Sequence, residues 1–188
     1  MFEELLSKIG LCLDNQSLPY MIIGGQAVLL YGEPRLTKDI DITLGVNIDG
    51  LDRLLNAIRE LPLKPLPSDI KAFVGETMVL PTLDEHSGIR VDFIFSYTPF
   101  ETNAIQRAKT VTLLGQKLAF ASPEDLIIHK IFAGRPRDLE DVRIIILKNP
   151  DIDMLYIRKW LKEFDGSSDT KEFLKTFEEI LKTVNDGK

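Results

Sequence analysis

The chain has 188 residues, which suits one domain with a modest appendage, and a hydrophobic content of 44% is ample for a core. Its net charge of -6 offers no basic face to offset phosphate, so a long nucleic acid held without a partner is disfavoured. A lone cysteine, Cys12, excludes an internal disulfide, no apolar run reaches membrane-helix length, and no basic stretch precedes an apolar one near the N-terminus, so a cytoplasmic, non-membrane protein is expected.

Phe2, Leu5, Leu6, Ile9, Cys12 and Leu13 recur at helical spacing, which predicts an amphipathic helix over 2–15 with Cys12 as a core thiol. A strand over about 19–24 then reaches Gly24 and Gly25, and a short helical pattern carrying Ala27, Val28, Leu30 and Tyr31 stops at Gly32. The order strand, glycine turn, helix suits phosphate: the glycines let it approach the backbone, and the amides opening the helix point toward it. In Asp39-Ile40-Asp41-Ile42, polar and apolar residues alternate with strand period, which puts both acids on one face about 7 Å apart. Hard divalent cations relieve such repulsion; a solvated edge strand is the plainer alternative. Arg35 and Thr37, in the connection before these acids, are candidates for triphosphate contact, or else residues that balance the acids or lie in solvent.

Residues 49–61 predict a helix, with Asn47 or Asp49 as its cap. Pro62, Pro65 and Pro67 predict a loop, and Asp69 to Val74 has no clear type. Thr77–Leu83 and Ile89–Ser96 predict an antiparallel hairpin, with Pro81 marking the first strand as an edge. On the second strand Ile89, Val91, Phe93 and Phe95 form an apolar face, and Asp92 lies opposite with Arg90 and Ile94. Asp92 reads either as a third site carboxylate, if its strand lies beside the first acidic one, or as a surface acid paired with Arg90.

Helix Pro99–Ala108 and short strands Thr110–Leu114 and Gln116–Ala119 follow. Ser122-Pro123-Glu124-Asp125 is a strong helix start, and that helix runs to Gly134. Lys130 lies on it among apolar neighbours, where its ammonium reaches either a nucleotide phosphate or water. Asp138 and Asp141 share one face of a helix over about 137–148, suited to holding Lys130 or Arg135, or serving only as first-turn acids. Helices near 152–164 and 169–184 complete the chain.

The glycine pair, the DxD strand and the later single-acid strand together resemble the polymerase-beta-like nucleotidyltransferase superfamily. The strings GGQAVLLYGEPRLTKDIDI and SPEDLIIHKIFAGRPRDLEDV are similar to its small prokaryotic branch, the AbiEii-type enzymes. The resemblance implies an α+β fold, a mixed sheet flanked by helices, with a core over 1–121 and a helical region over 122–188. It implies metal-dependent transfer of NMP from an NTP such as ATP to an acceptor that is RNA, protein or a small molecule, with Asp39, Asp41 and Asp92 as catalytic residues and ligands for two Mg2+ or Mn2+ ions. Gly24, Gly25, Arg35, Thr37 and Lys130 would bind nucleotide, with Asp138 and Asp141 supporting. The superfamily often has serine as the second residue of the glycine pair; Gly25 lacks that hydroxyl, and Gln26 is the candidate to replace its contact. A toxin paired with an antitoxin protein is within the resemblance; a CCA-adding or polymerase-like enzyme and a non-catalytic binding module are the alternatives.

Overall fold

A computed structural model describes residues 1–34, 36–170 and 172–186. By proximity the chain divides into two units, Met1–Gln26 with Leu36–Ala121, and Ala27–Arg35 with Ser122–Lys188.

The first unit opens with helix α1 (Phe2–Asn15), whose Leu5, Leu6, Ile9 and Leu13 are all buried. Cys12 lies one step off that stripe and is half-buried, not the core thiol expected. Among the described residues seven strands follow in chain order: β1 (Tyr20–Ile23), β2 (Asp39–Leu44), β3 (Leu63–Pro65), β4 (Val79–Asp84), β5 (Arg90–Phe95), β6 (Lys109–Leu113) and β7 (Gln116–Phe120). They form one mixed sheet in the order β3-β4-β5-β2-β1-β7-β6, with β2·β5 and β1·β7 parallel and the other pairs antiparallel. Ile40, Ile42, Leu44, Val91, Phe93 and Phe95 project from one face of β2 and β5 into the core. Each such fully buried side chain contributes about 1.5–3 kcal/mol. That burial pins the register, since a slip of one residue would turn every acid inward.

Two local expectations are corrected here. The proline-rich segment after residue 61 is not wholly loop: Leu63–Pro65 forms β3, a three-residue edge strand. Consequently β4 is an interior strand, and Pro81 does not mark an edge. The Pro81 carbonyl accepts from Leu66 N at 2.9 Å, on the side of short β3, so the N–H that proline lacks faces the ladder's end and costs little. The segment of no clear type is helix α3's successor: after α2 (Gly24–Tyr31) and α3 (Leu51–Ile58), α4 spans Ile70–Thr77, capped by Asp69, whose carboxylate accepts from Ala72 N at 3.0 Å. It absorbs Thr77, which the sequence assigned to a strand. Asn47 caps the turn leading into α3, and α5 (Pro99–Gln106) completes the helices of this unit.

In the second unit, α6 (Pro123–Ala133) starts at the Ser122 cap and ends on Gly134 in the left-handed conformation, φ 66°. Helices α7 (Pro136–Lys148), α8 (Met154–Asp165) and α9 (Phe173–Asp186) follow. Their core includes Ile127, Val142, Ile145, Ile157, Leu161 and Phe177, all fully buried, and Phe132 stacks on Phe173 with ring centroids 5.2 Å apart. Residues 27–34 belong here because α7 holds them: Asn149 Nδ2 donates to Tyr31 O at 2.9 Å, and Lys148 Nζ to Gly32 O at 3.1 Å. Among the described residues no helix is long and apolar enough to cross a membrane.

Candidate active site

The glycine turn closes on β2. Gly24 has φ +62°, and a Cβ there would overlap the Asp41 carboxylate, with Asp41 Cγ only 2.9 Å away. Both facts demand glycine, since other residues pay for the left-handed region and none fits against the acid. The pairing of Ile23 with Asp41 sets this closeness, because the strand hands over to the turn beside that carboxylate.

Strands β2 and β5 run parallel with Asp39 beside Arg90 and Asp41 beside Asp92. Residues in register on neighbouring strands share a face at about 4.8 Å, and Asp39 and Asp41 are about 7 Å apart along their strand. All three carboxylates therefore share one half-buried face opposite the aliphatic and aromatic core. Arg90 is on this face too, and its Nε donates to Asp92 Oδ1 at 2.7 Å. The hydrogen bond to Asp92 pushes the guanidinium pKa up, against some desolvation, and the charges of Asp92, Asp39 and Asp41 add to the rise. A cation thus already stands among the three acids, and the pairing of Asp92 with Arg90 weighed from sequence is present alongside the placement of all three acids on one face. Among the described residues, no three His, Cys, Asp or Glu side chains are gathered closely enough to hold a metal ion. With Arg90 on Asp92, like charges have no cause to close from ladder spacing.

Thr37 is half-buried between exposed Leu36 and Lys38, and its Oγ1 accepts from Gln26 Nε2 at 2.8 Å. Gln26, in the first turn of α2, is buried. Arg35 lies outside the described residues. Sequence reasoning raised Gln26 only as a replacement for the serine hydroxyl that Gly25 lacks, and Arg90 only as a partner of Asp92; for Arg90 the usable signal was its position two residues before Asp92 on the same strand face.

Lys130, Asp138 and Asp141 belong to the second unit and form a buried cluster there. Lys130 Nζ lies 2.9 Å from Asp138 Oδ1 and 2.7 Å from Asp141 Oδ2, with side chains only 5–7% exposed. Arg135 Nε reaches the other Asp138 oxygen at 2.5 Å. Burial would raise the Asp138 pKa, but hydrogen bonds from Arg135 and Lys130 outweigh it and hold the carboxyl below its usual range. Lys130 thus hydrogen-bonds Asp138 and is ion-paired with both acids.

The profile of a family described as nucleotidyltransferases of unknown function, DUF6036, matches residues 2–185. No curated protein matches the chain in sequence. Among solved structures, an antigenic nucleotidyltransferase-like protein from Paracoccidioides brasiliensis has a TM-score of 0.59 at 20% identity, covering 98% of this chain and 88% of that one. ANT(2'')-Ia in complex with adenylyl-2''-tobramycin also has a TM-score of 0.59, at 16% identity, covering 88% of this chain and 97% of that one. At these identities the likeness is one of fold. The family match extends over nearly the whole chain, both units included, and on that basis this protein belongs to the DUF6036 family and is an enzyme of the nucleotidyltransferase class.

Proposed function

We propose that the chain moves an NMP from an NTP to an acceptor oxygen, which attacks the α-phosphorus as the bond to pyrophosphate breaks. The observation that carries this reading is the register that sets Asp41 beside Asp92 and the Gly24 turn against Asp41. The acids are hard oxygen donors whose chemistry suits Mg2+ or Mn2+, and the positive charge of Arg90 stands among them; from ladder spacing an ion would have to draw them together. Asp39 and Asp41 would hold the ion that accompanies the triphosphate, and Asp92 would complete the second. When bound, such ions lower the pKa of the acceptor hydroxyl and offset charge on the phosphate.

The remaining work falls to the chain. Gly24 leaves room for the Asp41 carboxylate, Gly25 would let phosphate approach the amides opening α2, and Thr37 offers a hydroxyl two residues before Asp39. Arg90 balances the acids in the absence of substrate. Its pair with Asp92 is partly exposed and worth about 0.2–1 kcal/mol, so Asp92 exchanges this partner at little cost.

The test is incubation of the purified chain with each α-labelled NTP, Mg2+ or Mn2+, and a cell extract, beside an Asp39→Asn/Asp41→Asn variant. ANT(2'')-Ia, of the same fold, was captured with adenylyl-2''-tobramycin; small hydroxylated molecules therefore belong in the acceptor pool with RNA and protein. Label should pass to an acceptor only with the native acids, and the variant should lose at least about a hundredfold, as expected when several kcal/mol of charge stabilisation is removed. NTP binding with no transfer would instead favour a binding module.

A further inference from the structure

We propose that Gln26 is a positioning residue that fixes the Thr37 hydroxyl as a hydrogen-bond donor to the nucleotide's phosphate, supplying the hydroxyl that the Gly24-Gly25 turn lacks. The inference rests on the nucleotidyl-transfer reading and adds to it a residue that the reading did not use.

Phosphate oxygens at neutral pH only accept hydrogen bonds, and so do the three carboxylates that share this face of β2 and β5. A phosphate brought beside them needs donors. Gln26 is buried in the first turn of α2, and its amide nitrogen donates to Thr37 Oγ1 at 2.8 Å. A hydroxyl has one hydrogen and two lone pairs. With one lone pair engaged by an N–H, the Thr37 proton cannot turn toward Gln26 and must point elsewhere. Among the described residues Thr37 makes no other hydrogen bond. Thr37 is half-buried between Leu36, 89% exposed, and exposed Lys38. Both ends of the contact adjoin the site, since Gln26 follows the glycine pair and Thr37 precedes Asp39 by two residues.

A double-mutant cycle read by calorimetry tests this: Gln26→Met, Thr37→Val and the combined variant, each titrated with Mg2+ and each of the four NTPs without acceptor. Loss of a hydrogen bond to a charged group should weaken the preferred nucleotide about tenfold to a hundredfold in Thr37→Val. Gln26→Met should weaken it similarly, and the double variant should be no worse than Thr37→Val alone, because the glutamine acts through the threonine. Thr37→Ser should restore binding to within about threefold, while thermal midpoints confirm that every variant is folded. A Gln26→Met variant that lowers the midpoint but leaves Kd unchanged would make the contact a mere staple, and additive losses would mean that Gln26 touches nucleotide itself. Either result overturns this proposal alone. If the native chain binds none of the four nucleotides, the transfer reading falls and takes this proposal with it.

Discussion

Gly24 combines two demands that can be separated by experiment. Its backbone is left-handed, and its missing side chain is where the Asp41 carboxylate lies. Gly88, in the β4-β5 turn, has a similar φ of +71° but open space around the position of a Cβ. Alanine at either site should cost about 1–2 kcal/mol for the left-handed region, or about 2–8 °C in Tm for a chain of this size. Only Gly24→Ala should also displace Asp41, so it should lose transfer activity well beyond its loss of stability, with Gly88→Ala active as native. Equal activity in the two variants would show that the close approach does not set the carboxylate. The residue types at this turn were readable from sequence as a glycine pair, but the identity of what presses against Gly24 depends on β1 pairing with β2, which no local pattern discloses.

At the scale of elements, α6 and α7 are joined by ions as well as by apolar side chains. Lys130→Met would leave Asp138 and Asp141 buried without that ammonium, a change expected to cost about 3–5 kcal/mol at pH 7. The sign of the pH dependence follows from Asp138, whose folded pKa is lowered from an ordinary value of 3.8 by Arg135 and Lys130 in spite of burial. Its contribution is present above that ordinary value and is lost as pH falls through the lower folded value, because the unfolded chain then binds more protons. Urea midpoints should therefore show a smaller penalty for Lys130→Met as pH drops below about 4, where protonation of Asp138 removes the charge that the ammonium had balanced. A penalty independent of pH would remove the ion cluster from the account of how these helices hold together. Sequence placed Lys130, Asp138 and Asp141 on their helices at the correct spacing; whether the ammonium turned inward or to water depended on how two helices pack. The same limit explains β3 and β4. Proline rules are local, and they could not foresee that a three-residue strand would cover the side of β4 on which Pro81 has no N–H to offer.

For the molecule as a whole, alternation along β2 and along β5 exposed each acid separately, and only the long-range parallel register between them put Asp41 next to Asp92. Division by proximity likewise groups residues 27–34 with the second unit, where side chains at the end of α7 meet them across more than a hundred residues of sequence. Net charge, by contrast, is a property of composition and needs no fold to be used. At -6 the chain repels polyanions on average, and Asp39, Asp41 and Asp92 on one face add to that repulsion, offset in part by Arg90. Non-specific binders gain their affinity by neutralising several phosphates at once and releasing counterions, which takes a basic surface. Fluorescence anisotropy with a labelled 20-nucleotide RNA or DNA at about 0.15 M salt should thus show binding weaker than the roughly 10⁻⁴ to 10⁻⁶ M typical of such binders. Lowering the salt should tighten it only slightly, since few counterions are released. A steep salt slope with micromolar affinity would reveal a concentrated basic patch that the net charge conceals, and would move a polynucleotide to the front of the acceptor classes for the proposed transfer.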